Sequence, residues 1–387
     1  MIYGAAGTGK STLINHISNF FNDEDKIYLA NTNPAIDNLK RKVTTNNGEF
    51  MTIAKFLHNG NIKTKCGILI IDECSMVSNS DMKSILDKSE FELLVLVGDV
   101  YQIESIRFGN WFNIANSFIP KSLVYELKNL YRTNNDNLLK LWERVRKFEP
   151  EILESLVKNG YTSKLDESIF ENSNEEQIIL CLNYGGLYGI NNINKFMQQS
   201  NPNPPIQWGT NSYKVNDPIL FNELSRFHPL IYNNMKGEII SIEILLDKIQ
   251  FDVKIDKVIN KFQARDYDFE LVGLASDGKS IIRFTVNRYK STDEDDDYNS
   301  NAIVPFQVAY AVSIHKAQGL EYQSVKIIIT KEIDELITHN IFYTAITRTK
   351  ERLKIYWTPE TEQKILNSFK PKNNIKDIAL IKAKYNL

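Results

Sequence analysis

The sequence of 387 residues has no long hydrophobic run, few cysteines and little net charge. No apolar stretch approaches the ~20 residues that a membrane-spanning helix needs, and the chain does not open on a signal peptide. These absences argue against a membrane protein and against an exported one. We therefore expect a cytoplasmic protein with no membrane partner.

The three cysteines, Cys66, Cys74 and Cys181, form no CxxC pair. They supply neither a disulfide framework nor a zinc site, in agreement with a reducing compartment. Cys74 is interpreted as an inert thiol, and a redox role is the alternative.

The formal net charge is −2, because 46 lysines and arginines nearly balance 48 aspartates and glutamates. This balance does not indicate nucleic-acid binding. It does not exclude it either, since a protein that holds one strand in a cleft needs only local positive charge and stacking surfaces. With 42% apolar and 24% charged residues, the chain has the composition of a globular protein of two or three domains.

The sequence does contain a complete phosphate-binding loop at residues 4–11, which read Gly-Ala-Ala-Gly-Thr-Gly-Lys-Ser. In a loop of the form G-x-x-x-x-G-K-[ST], the glycines permit tight turns, and backbone N–H groups at a helix N-terminus surround the phosphates. Lys10 is expected to reach the β- and γ-phosphates, and Ser11 is expected to ligate Mg²⁺. The predicted nucleotide-binding residues of the loop are Gly4, Ala5, Gly7, Thr8, Gly9, Lys10, Ser11 and Thr12.

Buried strands that end in polar residues recur along the first part of the chain. The apolar runs Lys26–Ala30, Gly67–Ile71 and Leu93–Val97 predict strands, and residues 11–21 predict a helix. Strands that alternate with helices predict an α/β fold with a doubly wound parallel sheet, whose site lies at the carboxyl edge of the strands.

The sequence pattern of the chain changes near Pro202. Residues 126–200 are interpreted as mainly helical around a strand at Gln177–Leu182, which marks a second α/β unit. Strand-forming sequence resumes at Val304 and at Val325–Thr330 and completes the second sheet. We expect a first domain over 1–125, a second domain over 126–205 and 303–370, a β-rich insertion over 206–302, and a tail over 371–387 with a short terminal helix.

Three strand-like runs, Glu238–Leu246, Phe269–Leu274 and Ser280–Val286, predict the β-rich insertion. The acidic block Asp293–Asp297 closes it. We interpret this block as a solvated, mobile loop, and a metal site is the alternative.

Acidic residues follow the predicted strand Gly67–Ile71. Asp72 can hold the coordination sphere of Mg²⁺, and Glu73 can polarise the water that attacks a phosphoryl group. The alternative is an acidic pair at a helix N-cap. Ser11 and Asp72 are thus the predicted metal ligands.

Three further residues have side chains that suit phosphoryl transfer. Gln102 follows the strand Leu93–Val97, and its amide can both donate and accept, so it can sense a γ-phosphate or orient a water. Arg132 and Arg348 can stabilise developing phosphoryl charge, although each alone could be a surface ion pair. The predicted catalytic residues are Lys10, Asp72, Glu73, Gln102, Arg132 and Arg348.

The order of the motifs carries the most information. Across residues 4–348 the chain contains, in this order, GAAGTGKS, ANTNPAIDNL, MTIAKFL, LIIDECSM, LVGDVYQI, LYRTN, AVSIHKAQGLE and YTAITR. In this order and at these separations they resemble the superfamily 1 helicases, the RecD-like and Upf-like branch more than the UvrD-like one, with a UvrD-type C-terminal helicase domain.

The resemblance implies two RecA-like P-loop NTPase domains, with ATP and Mg²⁺ as cofactors and ATP in the cleft between the domains. It implies that Arg132 and Arg348 come from the second domain and the other catalytic residues from the first. Gly319 and Glu321 would help to form the nucleotide side of the cleft. The positions that match contacts to the backbone of a single strand are Thr32, Asn33, Thr52, Ser313 and His315.

Two side chains keep an alternative interpretation. His315 could cap a helix instead of contacting a strand. Trp111 is a candidate platform for base stacking, and a place in the core is the alternative.

We expect an ATP-dependent translocase or helicase that acts on single-stranded nucleic acid, with DNA favoured over RNA and 5′-to-3′ polarity by resemblance. The alternative is a switch, in which hydrolysis reports strand binding to a fused or partner effector and little duplex is opened. Only Met1, Ile2 and Tyr3 precede the phosphate loop. We therefore expect the natural polypeptide to be longer, with an effector domain such as a nuclease in front.

Overall fold

The computed structural model describes residues 1–59, 63–105, 109–171, 176–222, 226–288, 302–371 and 373–385. It divides into two compact units, which we describe separately. The first unit comprises residues 1–165 and 318–387, and the second comprises residues 166–317. The acidic block Asp293–Asp297 lies outside the described residues. Within the described ranges, no helix has both the length and the apolar character that crossing a membrane requires.

The first part of the first unit alternates strands and helices. Its strands are β1 (Ile2–Gly4), β2 (Lys26–Ala30), β3 (Gly48–Thr52), β4 (Thr64–Ile71), β5 (Ser89–Gly98), β6 (Tyr125–Leu127) and β7 (Thr162–Ser163). Its helices are α1 (Lys10–Phe20), α2 (Asn33–Lys42), α3 (Ile53–His58), α4 (Asn79–Lys88), α5 (Trp111–Ala115), α6 (Asp136–Lys147) and α7 (Ile152–Lys158).

Strands β1 to β6 form one parallel sheet in the order β3-β2-β4-β5-β1-β6. Alternate residues of β4 enter different hydrophobic clusters. Leu69 packs in a cluster with residues of α3, α4 and α5, and Ile70 packs in a cluster with residues of α1 and α2. Both faces of the sheet are thus covered by helices, which confirms the predicted doubly wound α/β architecture.

The expected strands agree with the observed ones where the sequence is apolar and buried. Lys26–Ala30 is a strand with the predicted bounds, and every one of its residues is buried. Strands β4 and β5 begin earlier than predicted, at Thr64 and Ser89. Their first halves mix buried and exposed residues, so a continuous apolar run marks only the buried second halves.

The second unit contains a parallel strand pair and an antiparallel sheet. Its strands are β8 (Gln177–Cys181), β9 (Ile206–Trp208), β10 (Asn211–Tyr213), β11 (Pro218–Phe221), β12 (Lys236–Ile244), β13 (Lys248–Ile255), β14 (Glu270–Leu274), β15 (Ser280–Asn287), β16 (Phe306–Val308) and β17 (Ala311–Ser313), and its helices are α8 (Ile190–Ser200) and α9 (Lys261–Ala264). The six-stranded antiparallel sheet has the order β14-β15-β13-β12-β11-β16. It lies largely in the β-rich region that the sequence predicts.

Aromatic side chains fill the core of this antiparallel sheet. Phe251 and Phe306 lie 5.0 Å apart between ring centroids, and Phe284 packs against both. Strand β13 was not among the predicted strands. Its buried and partly exposed residues alternate strictly along Lys248–Ile255, so it pairs with β12 on one side and β15 on the other with one face in the core.

The chain then returns to the first unit. Its last elements are β18 (Tyr322–Ile328), α10 (His339–Ile346), β19 (Thr349–Tyr356), α11 (Pro359–Ser368) and α12 (Ile375–Tyr385). Strand β19 pairs in parallel with β18 and with β7. Helix α12 is the predicted terminal helix. The expected domain boundaries at 125, 205, 302 and 370 stay predictions.

Candidate functional site

The phosphate loop connects β1 to α1. Gly7 and Gly9 adopt φ values of +81° and +83°, in the left-handed region that favours glycine. A Cβ atom on Gly7 would lie 2.4 Å from the Cβ atom of Arg132, so a side chain at this position would also clash. Gly9 is the N-cap of α1, which begins at Lys10. The first amide groups of α1 have no partners within the helix and can therefore bind an anion.

The Lys10 ammonium lies against the loop that precedes it. Its Nζ atom donates hydrogen bonds of 2.8 Å to the carbonyl oxygens of Gly4 and Ala5. Burial lowers the pKa of Lys10, although Asp99 and Asp72 oppose this shift. These carboxylates therefore help to keep the lysine charged where a phosphate would bind.

The acidic pair follows β4 directly. Asp72 is buried, and its Oδ1 atom accepts a 2.8 Å hydrogen bond from the backbone N–H of Glu73. Glu73 has a φ of +53°, and left-handed backbone at a non-glycine residue costs of order 1–3 kcal/mol. Its Oε2 atom is buried and has no hydrogen-bond partner among the described residues. Burial, followed by the charge of Asp72, raises the pKa of Glu73 to about 7.

Asp99 and Gln102 follow β5 in the same way. The Oδ1 atom of Asp99 accepts a 3.1 Å hydrogen bond from the N–H of Tyr101, and its Oδ2 atom accepts one of 3.3 Å from Nε2 of Gln102. Gln102 was among the predicted catalytic residues, and Asp99 was not. The signal was present, because Asp99 directly follows a buried strand, as Asp72 does.

The two predicted arginines are held by backbone carbonyl groups. Arg132 donates a 2.6 Å hydrogen bond to the carbonyl oxygen of Thr347 and forms a 2.7 Å ion pair with Glu321. Arg348 is 3% exposed, and its Nε atom donates to the carbonyl oxygen of Thr344 at 3.0 Å. Burial, followed by the charge of Arg132, lowers the pKa of Arg348 to about 10. Arg348 remains a cation at neutral pH.

Glu321 balances these cations. Burial alone would raise its pKa, but Arg132, Lys350 and Arg348 together lower it below its ordinary value. Gly319, with a φ of +76°, lies beside the acidic pair, because a Cβ atom built on it would be 3.8 Å from Oε1 of Glu73. Both residues of the AVSIHKAQGLE segment that were predicted at the nucleotide are therefore found next to predicted catalytic residues.

These residues surround one cavity of about 400 Å³ in the first unit. Its lining residues are Ala6, Gly7, Gly9, Lys10, Ser11, Thr12, Asn38, Lys42, Asp72, Glu73, Ser75, Gly98, Asp99, Gln102, Tyr131, Arg132, Gly319, Glu321, Arg348 and Lys350. All six predicted catalytic residues are included. Gly4, Ala5 and Thr8 are not among the lining residues, and Thr8 instead donates its hydroxyl to the carbonyl oxygen of Ala5 at 2.9 Å.

Some lining residues were not predicted from the sequence. Lys42, from the end of α2, and Lys350, from β19, add positive charge to the cavity, and Asn38 and Tyr131 also line it. Asn38 and Tyr131 lie within the motifs ANTNPAIDNL and LYRTN, whereas Lys42 and Lys350 lie outside all of the quoted motifs. The positive charge suits a polyphosphate.

The donors for a Mg²⁺ ion are the Ser11 hydroxyl and the Asp72 carboxylate, which line the same cavity. The described residues contain no group of three or more His, Cys, Asp and Glu side chains that could hold a metal. Mg²⁺ is usually bound by one or two protein oxygens together with phosphate oxygens and water. The residues present fit this mode of binding.

The residues predicted to contact a strand lie in both units. In the first unit, Thr32 is the N-cap of α2 and Thr52 is the N-cap of α3, each accepting a 3.3 Å hydrogen bond from a backbone N–H, and Asn33 is the first residue of α2. In the second unit, Ser313 ends β17 and His315 is exposed in a turn with no helix for it to cap. Their role at a strand stays a prediction.

A groove of about 910 Å³ lies within the second unit, between one face of α8 and the hairpin β9–β10. Among the described residues, its lining includes Lys195, Lys214 and many amide side chains, and no carboxylate. Lys316, which follows His315 in the AVSIHKAQGLE segment, contacts this groove. Its Nζ atom donates to Oε1 of Gln307, a lining residue, at 2.7 Å.

Two other side chains have structural roles. Trp111 donates from Nε1 to the carbonyl oxygen of Val77 at 2.7 Å and packs against the hydrophobic core, as the core interpretation predicts. Cys74 is fully buried, and its thiol donates to the carbonyl oxygen of Ile71. Burial raises the pKa of Cys74 well above its ordinary value, which fits the expected inert thiol.

Comparisons with protein families give two matches along the chain. The family model described as an AAA domain matches residues 1–167, and the model of the UvrD-like helicase C-terminal domain matches residues 308–356. The first match covers the phosphate loop and both carboxylates, and the second covers Gly319, Glu321 and Arg348.

Several curated relatives are similar over most of the chain. An uncharacterized protein of Methanocaldococcus jannaschii is 23% identical over 98% of this chain and 38% of that protein. The ATP-dependent DNA helicase Pif1 of Campylobacter jejuni is 22% identical over 92% of this chain and 88% of that protein. The RecBCD enzyme subunit RecD of Buchnera aphidicola is 23% identical over 91% of this chain and 64% of that protein. The chain thus spans less than two thirds of the first and third of these relatives.

Among solved structures, Bacteroides Pif1 bound to ssDNA is similar in fold, with a TM-score of 0.59 and 15% identity over 100% of this chain and 93% of that chain. This similarity confirms the predicted α/β fold with two RecA-like domains. The order of the motifs, the cavity that their residues line and the two family matches lead to one conclusion. The chain is similar to the superfamily 1 helicases in the order of its motifs, in its fold and in its two family matches.

Proposed function

We propose that the protein hydrolyses ATP in the cavity of the first unit and uses this hydrolysis to move along single-stranded DNA. The observation that carries the proposal is the shared cavity of a phosphate-loop lysine, an acidic pair and two arginines. The choice of ATP is supported by the similarity to the Pif1 relative, which is named an ATP-dependent DNA helicase. The choice of single-stranded DNA is supported by the similarity to the structure of Bacteroides Pif1 bound to ssDNA.

Binding of the nucleotide begins at the phosphate loop. Lys10 exchanges its two carbonyl contacts for the β- and γ-phosphates, and the amide groups at the start of α1 bind the same oxygens. Ser11 and Asp72 would hold Mg²⁺. When bound, this ion supplies neutralisation of phosphate charge.

Glu73 acts as the general base. A water oxygen attacks the γ-phosphorus, the bond from this phosphorus to the bridging oxygen of ADP breaks, and the proton of the water passes to the Glu73 carboxylate. The raised pKa of Glu73, about 7, makes the carboxylate a stronger base than an exposed one. Gln102 orients the water, because its amide can donate and accept hydrogen bonds without adding charge.

The arginines act on the transition state. Arg132 and Arg348 are anchored to carbonyl oxygens at the cavity, where their guanidinium groups can meet the charge that develops on the transferred phosphoryl group. Such arginines typically contribute a factor of ~10³–10⁵ to turnover. Ground-state binding of ATP relies more on Lys10 and the loop.

The strand contacts proposed here come from Thr32, Asn33 and Thr52 in the first unit and Ser313 and His315 in the second. The groove of the second unit extends this set, since its lysines and amide side chains suit a polyanion with hydrogen-bonding bases, and its described lining residues include no carboxylate. We propose DNA in preference to RNA, and 5′-to-3′ movement.

The experiment that tests this function is the steady-state ATPase rate without nucleic acid, with single-stranded DNA and with single-stranded RNA. We expect strong stimulation by DNA and its loss in Glu73→Gln. Glu154→Gln, at an exposed position of α7, serves as the matched control and should behave as the wild type. An ATPase rate that is the same with and without a strand would contradict the proposal. Stimulation by RNA alone would identify RNA, and not DNA, as the strand.

A further inference from the structure

Helix α10 contacts the segment of Gln102 at adjacent points. The Nδ2 atom of Asn340 donates a 2.8 Å hydrogen bond to the carbonyl oxygen of Gln102. The Oγ1 atom of Thr344 accepts a 3.0 Å hydrogen bond from the N–H of Ile103. Asn340 and Thr344 are four residues apart in the helix, so they present both groups on one face. Neither residue lines the nucleotide cavity.

The same threonine also holds Arg348, one of the two predicted catalytic arginines. The carbonyl oxygen of Thr344 accepts hydrogen bonds of 3.0 Å from Nε of Arg348 and from Oγ1 of Thr347. Thr344 is fully buried, and Ile103 is 7% exposed. The hydroxyl of Thr344 thus fixes the Gln102 segment, while its carbonyl group fixes Arg348.

The side chain of Gln102 is held less firmly than its backbone. Within the described part of the chain, its side-chain amide forms one hydrogen bond, of 3.3 Å to Oδ2 of Asp99, which is longer than the usual 2.9–3.0 Å of an N–H···O bond. The backbone of Gln102 is therefore anchored more firmly, by Asn340 and the neighbouring Ile103 contact, than its side chain is.

We propose that Asn340 and Thr344 are positioning residues, which set the distance between Gln102 and Arg348 so that both act on the same phosphoryl group. The inference rests on the proposed ATPase function. Because neither residue touches the nucleotide, their loss should lower turnover without weakening ATP binding. A misplacement of about 1 Å at a catalytic group can cost on the order of 10²-fold in rate.

The test compares Thr344→Val with Thr344→Ser. Valine has nearly the shape of threonine but leaves the buried N–H of Ile103 without its acceptor, whereas serine keeps the hydroxyl. We expect kcat to fall by about 10-fold to 100-fold in Thr344→Val with KM for ATP unchanged, and to recover in Thr344→Ser. Thr361→Val, at a buried threonine in the separate helix α11, controls for general destabilisation.

A double mutant separates positioning from a structural effect. In the background of Gln102→Ala, Thr344→Val should cause little further loss of kcat, because the residue it positions is already absent. Additive losses, an unchanged kcat in Thr344→Val, or equal losses in the valine and serine variants would each overturn the inference.

Hydrogen exchange gives a readout that does not depend on hydrolysis. The amide of Ile103 should exchange faster in Thr344→Val than in the wild type and in Thr344→Ser. If the wild type failed to hydrolyse ATP, the proposed function would fail while this measurement still tested the contact. Unchanged exchange at Ile103 in the valine variant would overturn the positioning role.

Discussion

Replacing Glu73 by glutamine should stabilise the folded protein above neutral pH and have little effect on its stability in acid. Burial, together with the charge of Asp72, raises the pKa of Glu73 from its ordinary value of 4.5 to about 7. Between these values the folded protein holds a proton that the unfolded chain releases. The stability that wild-type Glu73 contributes is therefore fully present below about pH 4.5 and is lost as the pH rises through about 7.

The size of this effect follows from the two pKa values. A change from 4.5 to about 7 corresponds to about 3 kcal/mol in the free energy of unfolding. Glutamine keeps the shape of the side chain and does not titrate. The stability difference between Glu73→Gln and the wild type should thus be below ~1 kcal/mol at pH 5 and about 3 kcal/mol at pH 8.

Urea unfolding of both proteins at pH 5 and pH 8, without nucleotide, measures this difference. Glu154→Gln replaces an exposed carboxylate and should not reproduce the pH-dependent gain. A stability difference between Glu73→Gln and the wild type that is the same at both pH values would refute the reasoning. It would show that the pKa of the Glu73 carboxyl does not differ between the folded and unfolded states.

Other substitutions test separate parts of the account. Lys10→Ala should abolish ATP hydrolysis, because it removes the charge placed on the β- and γ-phosphates, and robust residual turnover would contradict that role. Arg348→Ala should lower turnover by on the order of 10³ while ATP affinity, measured by equilibrium titration, stays nearly intact. An unchanged rate would assign the stabilisation of the transition-state charge to another residue. The affinity for a single strand should fall with rising salt. Lys195→Ala in the groove should reduce the slope of log affinity against log salt concentration by about one, whereas Lys261→Ala on α9 should leave this slope unchanged. Equal slopes for both variants would exclude the groove from the strand path.

The predicted strands show which parts of the fold a sequence reveals. The run Lys26–Ala30 has the predicted bounds because it is buried on both faces, so its apolar character is continuous. The first halves of β4 and β5 were missed, as was β13. Their residues alternate between buried and more exposed positions, and charged residues interrupt the apolar pattern.

The site was predictable where a motif contains the chemistry. Lys10, Asp72, Glu73 and Gln102 each follow a strand at the same edge of one sheet, and the structure places them around one cavity. Asp99 has the same relation to its strand and could have been selected.

Other contacts depend on tertiary structure. Lys42 and Lys350 reach the cavity from distant parts of the chain, and neither belongs to a phosphate-binding pattern. The ion pair of Arg132 with Glu321 joins residues from separate motifs. The sequence pattern identifies such residues singly, and only the fold shows which of them are partners.

The central claim, that hydrolysis is coupled to movement, is tested most directly by displacement of streptavidin from biotinylated single-stranded DNA. We predict ATP-dependent displacement from the 3′ end, little displacement from the 5′ end, and none by Glu73→Gln. Displacement from the 5′ end alone would keep the motor and reverse its polarity. Strand-stimulated ATP hydrolysis with no displacement from either end would contradict the claim and identify the protein as a switch.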